Sequence, residues 1–248
     1  MKIGIWGLFG ALVFAGLTAT RAHAVTATSF SSFEGEEEPS DRVSSDGGVT
    51  PGDTYDNMTS PSSGVFRFYL RYSAGVWDGD RDTGSTDRQR AEVKGLGARQ
   101  KTNETFEYAH TWKTNRQGSG AFWHVFQLKA TNGENASPLV VDSIKPNNTA
   151  VVQYCPGVQS GFTLARSYTI AMNTFTTTNI RIKPATSATG VLQASVNGDA
   201  MSGATNVELY RPSATEYRPK WGSYRGVNGS SPYGNDTVEQ KSITATKK

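Results

Sequence analysis

The chain has 248 residues with 25 Lys and Arg, 22 Asp and Glu and 3 His, a formal net charge of +3. So even a balance lacks the strongly basic face that nucleic-acid binding needs, and a single cysteine, Cys155, excludes an internal disulfide. The length suits one all-β domain built around one large core.

The N-terminus reads as a processing signal. Lys2 precedes an apolar run from Ile3 to Leu17, and Ala22-His23-Ala24 supplies small residues for cleavage. The run is too short for a spanning helix. Residues 1–24 are therefore expected to be removed, leaving a secreted, extracellular protein with no membrane partner. Losing Lys2 and Arg21 leaves 23 basic against 22 acidic side chains. Residues 25–63 are rich in Ser, Gly, Asp, Glu and Pro, and predict loops with one short strand near Phe30 to Phe33. The Glu34, Glu36, Glu37 and Glu38 cluster reads as a solvated tract rather than a metal site.

From residue 64 to 248 the pattern predicts a single domain. Strands are expected at Val65 to Tyr72, Arg88 to Lys94, Phe106 to Lys113, Phe122 to Ala130, Leu139 to Ile144, Ala150 to Tyr154, Leu164 to Thr174, Asn179 to Lys183 and Gly190 to Asn197. Turns such as Asn132-Gly133 and Asn197-Gly198-Asp199 separate them. Many short strands with no intervening helical period indicate an all-β fold, an antiparallel β-jelly roll of concanavalin-like sandwich type. Cys155 ends a β-type run and reads as a buried, inert thiol. Six N-x-S/T sequons, at Asn57, Asn103, Asn135, Asn147, Asn228 and Asn235, are expected in surface loops.

Three stretches place polar groups where a core strand would not have them. In Tyr217-Arg218-Pro219-Lys220-Trp221-Gly222-Ser223-Tyr224-Arg225-Gly226, an even separation sends Lys220 and Tyr224 to one face. A phenol beside an ammonium has its phenolate favoured and can exchange protons with carbon and oxygen. In Arg88-Gln89-Arg90-Ala91-Glu92-Val93-Lys94, the even positions form a row of Arg88, Arg90, Glu92 and Lys94 suited to a cleft that holds an anion. In Phe122 to Lys129, alternation puts Gln127 and Lys129 on one surface with Trp123 available for stacking, and His124, Phe126 and Leu128 on the other. Asp78-Gly79-Asp80-Arg81-Asp82 offers oxygen ligands for a structural calcium, although Arg81 within it favours a solvated turn.

In that chain order, Arg90-Ala91-Glu92-Val93-Lys94, Gln127-Leu128-Lys129 and Lys220-Trp221-Gly222-Ser223-Tyr224 resemble the R-x-E-x-K/R, Q-x-H/K and K-x-G-x-Y signature of β-jelly-roll polysaccharide lyases, which include the family 7 alginate lyases. The wording is most similar to the family 20 glucuronan lyases, over roughly residues 64–240. The resemblance implies a lyase that cleaves a 1,4-linked polyuronate by β-elimination and needs no cofactor. It makes Tyr224 the proton-transfer residue, Lys220 its charged neighbour, and Arg90 and Gln127 the groups that engage the uronate carboxylate. Lys129 stands where the alginate lyases carry His, which argues against guluronate-type alginate and favours a scheme in which Tyr224 does most of the proton transfer; the expected substrate is β-1,4-glucuronan. Lys129, Glu92, Lys94, Arg88, Arg225, Trp123, His110 and His124 are expected to contact the acidic polysaccharide, with either histidine turned into the cleft by a bulge. A monomer is expected. The rival classes are an alginate lyase acting on polymannuronate, a glycoside hydrolase, which lacks its carboxylate pair here, and a carbohydrate-binding module using Trp112, Trp123 and Trp221 as stacking platforms.

Overall fold

In a computed structural model, the period-two alternation of Phe106–Thr114 buries Phe106, Tyr108, His110 and Trp112 against a facing sheet and leaves the intervening residues part-exposed. The structure describes residues 24–37, 57–70, 88–157, 161–227 and 234–248. The signal segment up to residue 23, the 78–82 loop and Asn228 lie outside them.

Strands are numbered in chain order. The first sheet runs β14 (Ser202–Leu209), β13 (Ala185–Val196), β12 (Thr176–Lys183), β7 (Phe106–Thr114), β16 (Asp236–Lys247), β4 (Val65–Leu70) and β3 (Met58–Ser62), with β1 (Ala24–Thr26) also paired to β16. The second runs β11 (Thr163–Thr169), β10 (Thr149–Tyr154), β9 (Val140–Lys145), β8 (Trp123–Ala130), β15 (Glu216–Gly226), β5 (Arg88–Lys94) and β2 (Gly35–Glu37), with β6 (Gln100–Lys101) on β15. Every pairing is antiparallel among the described residues, as the jelly-roll expectation requires. No helix among them is long and apolar enough to cross a membrane.

The core lies between the sheets. Tyr108 of the first sheet meets Phe126 and Trp221 of the second at ring-centroid separations of 5.5 and 6.2 Å. Trp112, Trp123 and Trp221 are all core residues. Burying three such rings contributes several kcal/mol at about 25 cal/mol per Å² of apolar surface. Cys155 is fully buried, its thiol pKa pushed up by that burial.

Several segments differ from the sequence expectations. Phe30–Ser32 forms a 3-10 turn rather than a strand, with β1 before it and β2 after it. β14 and β16 were not marked by alternation. β14 is an edge strand that faces solvent along most of its length. β16 buries Val238 and Gln240, then Ile243 and Ala245, so its parity switches midway, at a register break where Ser242 has φ 53°. The Asn57 side chain is buried and donates to the Tyr69 carbonyl at 2.8 Å, so this sequon is not at the surface. Asn103, Asn135, Asn147 and Asn235 are exposed.

Candidate active site

Strand β15 runs through the middle of the second sheet and carries the site on the face turned away from the core. Its register sets the rows. Tyr224 lies directly opposite Arg90 on β5 and His124 on β8, Lys220 opposite Lys94 and Gln127, and Gly222 opposite Glu92. Arg88, Arg90, His124, Gln127, Lys129 and Tyr224, together with Phe122 and Phe162, line one cavity of about 390 Å3. Lys220 lines an adjoining cavity that shares Arg90 and Lys129.

Gln127 is held from behind. Its Nε2 donates to both carboxylate oxygens of Glu92, at 2.6 and 2.8 Å, and Arg90 Nε stands 3.6 Å from the same carboxylate. This contact passes over β15, where Gly222 contributes no side chain. Gly222 is required there for a second reason: at φ 146° an added Cβ would sit 2.3 Å from the Ala91 carbonyl oxygen. Glu92 is fully buried and so orients Gln127 and Arg90 instead of contacting the polysaccharide itself, as had been expected of it.

Strict alternation would bury His124 with Phe126 and Leu128. A bulge at Val125 breaks the pairing of β8 with β9, and β15 gains a residue against β8 between Trp221 and Tyr224. The extra residue flips the parity, so His124 joins Gln127 and Lys129 in the cavity while Trp123 turns into the core. The bulge is braced from the opposite sheet: the buried Gln240 of β16 donates through Nε2 to the carbonyls of Val125, at 2.8 Å, and Gly222, at 3.1 Å.

His124 Nδ1 is 2.7 Å from Ser143 Oγ, and burial, helped by the charge of Lys145, lowers its pKa to about 3. The imidazole is thus neutral at rest. Tyr224 packs between Phe122, with ring centroids 5.1 Å apart, and the Arg90 guanidinium, whose carbon is 4.3 Å from the ring centroid. Arg88 Nη1 donates to its hydroxyl at 3.3 Å. Burial raises the Tyr224 pKa above the usual tyrosine range, and Arg90 and Arg88 oppose that rise without cancelling it.

Three expectations are corrected. Trp123 offers no stacking surface, because it is buried and its indole N–H donates to Ser223 Oγ at 2.9 Å. His110 points between the sheets, with Nδ1 3.2 Å from Gln240 Oε1 and Nε2 3.6 Å from the buried Asp142 carboxylate. Arg225 has the opposite parity to Tyr224 and is buried on the other face, paired with Asp236 and donating to Gln89 at 2.7 Å. Arg90 and Arg88 both act on the Tyr224 phenol, two cations from β5 that the sequence reading had not assigned to it. Lys94 sits at the end of the row beside Gly35 of β2. Phe122, Phe162, Ser143 and Gln240 escape sequence reading, since each reaches the site through a fold contact and not through strand parity.

This architecture defines a class. It is the fold of the β-jelly-roll polysaccharide lyases, reached although no family model and no curated protein matches the sequence. An endo-β-1,4-glucuronan lyase from the fungus Trichoderma reesei aligns with a TM-score of 0.60 at 14% identity, covering 87% of this chain and 96% of that one. An alginate lyase of polysaccharide lyase family 7 gives 0.57 at 17% identity, over 79% and 85%. An alginate lyase from Pseudomonas aeruginosa gives 0.50 at 18%, over 75% and 84%.

Proposed function

We propose that the protein is a secreted polysaccharide lyase that cleaves a 1,4-linked polyuronate, β-1,4-glucuronan in the first instance, by β-elimination. The observation that carries this reading is the placement of a neutral phenol, a neutral imidazole, a buried Gln–Glu pair and arginine cations around one cavity. The C5 hydrogen of a uronate is not acidic while its carboxylate is fully charged, because its loss adds a second negative charge to the same group. Arg90 and the Gln127 amide, with Lys129 beside them, would hold that carboxylate and stabilise the enolate-like species that develops.

In this reading His124 takes the C5 proton. The tautomer that donates Nδ1–H to Ser143 leaves Nε2 as acceptor. Its lowered pKa is offset when a carboxylate binds nearby, because an opposite charge favours the imidazolium. The C5–H electrons form the C4=C5 bond, the C4–O4 bond breaks, and Tyr224 supplies the proton to O4. Tyr224 suits the role of acid because its raised pKa keeps it protonated. His124 and Tyr224 are direct cross-strand neighbours with rings 6.0 Å apart. Acid and base on one side fit glucuronate and mannuronate, whose C5 hydrogen and O4 lie on the same side of the ring, and not guluronate.

Polymannuronate is the second reading, favoured by the same geometry. Lys129 in place of the alginate lyases' His and the likeness to a glucuronan lyase support glucuronan. The burial of Trp112, Trp123 and Trp221 removes the stacking platforms on which a binding-module reading depended. The test is to incubate the protein with polyglucuronate, polymannuronate and polyguluronate and follow the ultraviolet absorbance of the conjugated double bond. Absence of that signal on all three would overturn the lyase reading.

A further inference from the structure

Strands β15, β8 and β5 form the floor of the proposed catalytic cavity, and the segments that join strands form its walls: Ala136 and Pro138 between β8 and β9, and Phe162 just before β11. Phe162 belongs to the far edge of the sheet. Thr163, which follows it, lies in a row with Tyr154 of β10, Val140 of β9 and Leu128 of β8. Three strand spacings separate β11 from β8, roughly 14 Å in a flat sheet. His124 is not in that row at all, since it pairs with Ser143. Yet the Phe162 ring centroid is 6.2 Å from that of His124. Phe162 therefore leaves the line of β11 and overhangs the floor. The two ring planes are 58° apart, so the rings form two sides of a wedge that opens on the cavity they both line. Phe122, the other phenyl of the cavity, lies against His124 at 5.0 Å and 22° and belongs to the floor.

We propose that Phe162 determines specificity, selecting glucuronate over mannuronate by packing on the face of the reacting sugar opposite the His124–Tyr224 pair. The proposal rests on the polyuronate reading of the cavity and deepens it. A β-linked pyranuronate chair carries H1, H3 and H5 as axial hydrogens on one face. The C5 hydrogen must point at His124, so that face is turned to the floor and the opposite face to the overhang. In glucuronate the opposite face carries the axial H2 and H4 and is apolar, which matches a phenyl ring. Mannuronate differs only at C2, where the axial position on that same face holds the hydroxyl. Against Phe162 this hydroxyl gives up water and finds no hydrogen-bond partner in the ring, and its oxygen holds the sugar away from the phenyl face. The floor cannot draw this distinction. C5–H and O4 are placed alike in both sugars, so His124 and Tyr224 serve either one.

The experiment titrates saturated β-1,4-glucuronate and β-1,4-mannuronate hexamers calorimetrically into the Tyr224→Phe protein, in which turnover is prevented. The glucuronate hexamer should bind about tenfold or more tightly than the mannuronate hexamer, the discrimination an apolar wall exerts against one added hydroxyl. Adding Phe162→Ala should weaken the glucuronate hexamer towards the mannuronate level and leave the mannuronate hexamer nearly unchanged. Phe162→Leu keeps apolar bulk for the fold but has no flat face, so it should lose most of the preference as well, whereas Phe162→Tyr should keep it. All three should show the parent's circular dichroism spectrum. With Tyr224 intact, the ratio of kcat/KM on polyglucuronate to that on polymannuronate should fall in Phe162→Ala by the factor seen in binding. An equal loss for both hexamers in Phe162→Ala and Phe162→Leu, an unchanged preference, or no binding of either hexamer to the parent would overturn the proposal. A Phe162-dependent preference in binding, with no unsaturated product from any polyuronate, would leave the selection standing and defeat the lyase reading.

Discussion

The guanidinium of Arg90 lies over the ring of Tyr224, 4.3 Å from its centroid, and the two residues are directly opposite one another on paired strands. One residue along the same face, Arg88 reaches the hydroxyl. Two cations bear on a phenol whose pKa is nonetheless raised, so burial outweighs charge at this position. The balance makes Tyr224 a proton donor in the resting site, and the arginines keep its pKa from rising further.

Tyr224→Phe removes only the phenolic oxygen. Release of unsaturated uronate should fall by about 10²- to 10⁴-fold, the usual contribution of a positioned proton donor, with polyuronate affinity and thermal unfolding close to wild type. Arg88→Ala leaves the phenol but takes away a cation that lowers its pKa. An acid is active while protonated, so activity falls as pH rises through its pKa. Raising that pKa must shift the alkaline limb of the kcat profile upward in Arg88→Ala. An acid limb that moves upward while the alkaline limb stays in place would show Tyr224 acting as the base.

His124 carries its own pH signature. Its folded pKa of about 3 lies below the unfolded histidine value of about 6.5. Between those values the unfolded chain binds a proton that the folded chain refuses, so stability is full above about pH 6.5 and declines as pH falls towards 3. Thermal unfolding followed across that window should show the decline, and His124→Gln should flatten it. Ser143→Ala, which frees the ring without removing it, should lower kcat by about tenfold or more through misorientation while KM changes little.

How far the site could be read in advance follows from parity. Arg88 and Arg90 lie on β5, whose register with β15 is unbroken through Tyr224, and Gln127 and Lys129 lie on the C-terminal side of the β8 bulge, so counting residues along each stretch places them on one face. The same counting misplaces His124 and Trp123, because one bulged residue at Val125 inverts everything N-terminal to it in β8. Arg225 fails for a simpler reason: adjacent residues on a strand point to opposite faces, so proximity in sequence to Tyr224 excludes it from the cleft. β16 was illegible because a left-handed Ser242 splits its alternation into two out-of-phase halves. The partners Ser143 and Gln240 are supplied by other strands, and no local pattern announces them.

Glu92 offers a test of orientation as distinct from contact. It is fully buried, yet it fixes the Gln127 amide through both carboxylate oxygens. Glu92→Gln keeps the shape but removes the charge and one acceptor, so the amide loses its fixed direction. Turnover should drop by about 10- to 100-fold with a smaller change in KM. Glu92→Ala leaves the Gln127 amide without its acceptor and takes the ion-pair partner from Arg90, and should also lose about 1–3 kcal/mol of stability in denaturant unfolding.

The most distant lever on the chemistry is Gln240, which belongs to the other sheet. Its Nε2 satisfies the carbonyls of Val125 and Gly222, the two backbone oxygens at the bulge that turns His124 into the cavity, and its Oε1 meets His110. Gln240→Leu is close in volume but donates nothing, leaving both carbonyls buried without this donor. Unfolding free energy should fall by about 1–3 kcal/mol for each carbonyl left unsatisfied. If the bracing acts on the site, kcat must fall as well, by about tenfold or more, in protein shown by circular dichroism to be folded at the assay temperature. His110→Phe removes the neighbour of Gln240 without touching either carbonyl, so it should cost stability and leave kcat near wild type. A Gln240→Leu protein that loses stability but turns over polyuronate at the wild-type rate would confine Gln240 to the core and leave the bulge to hold its own shape.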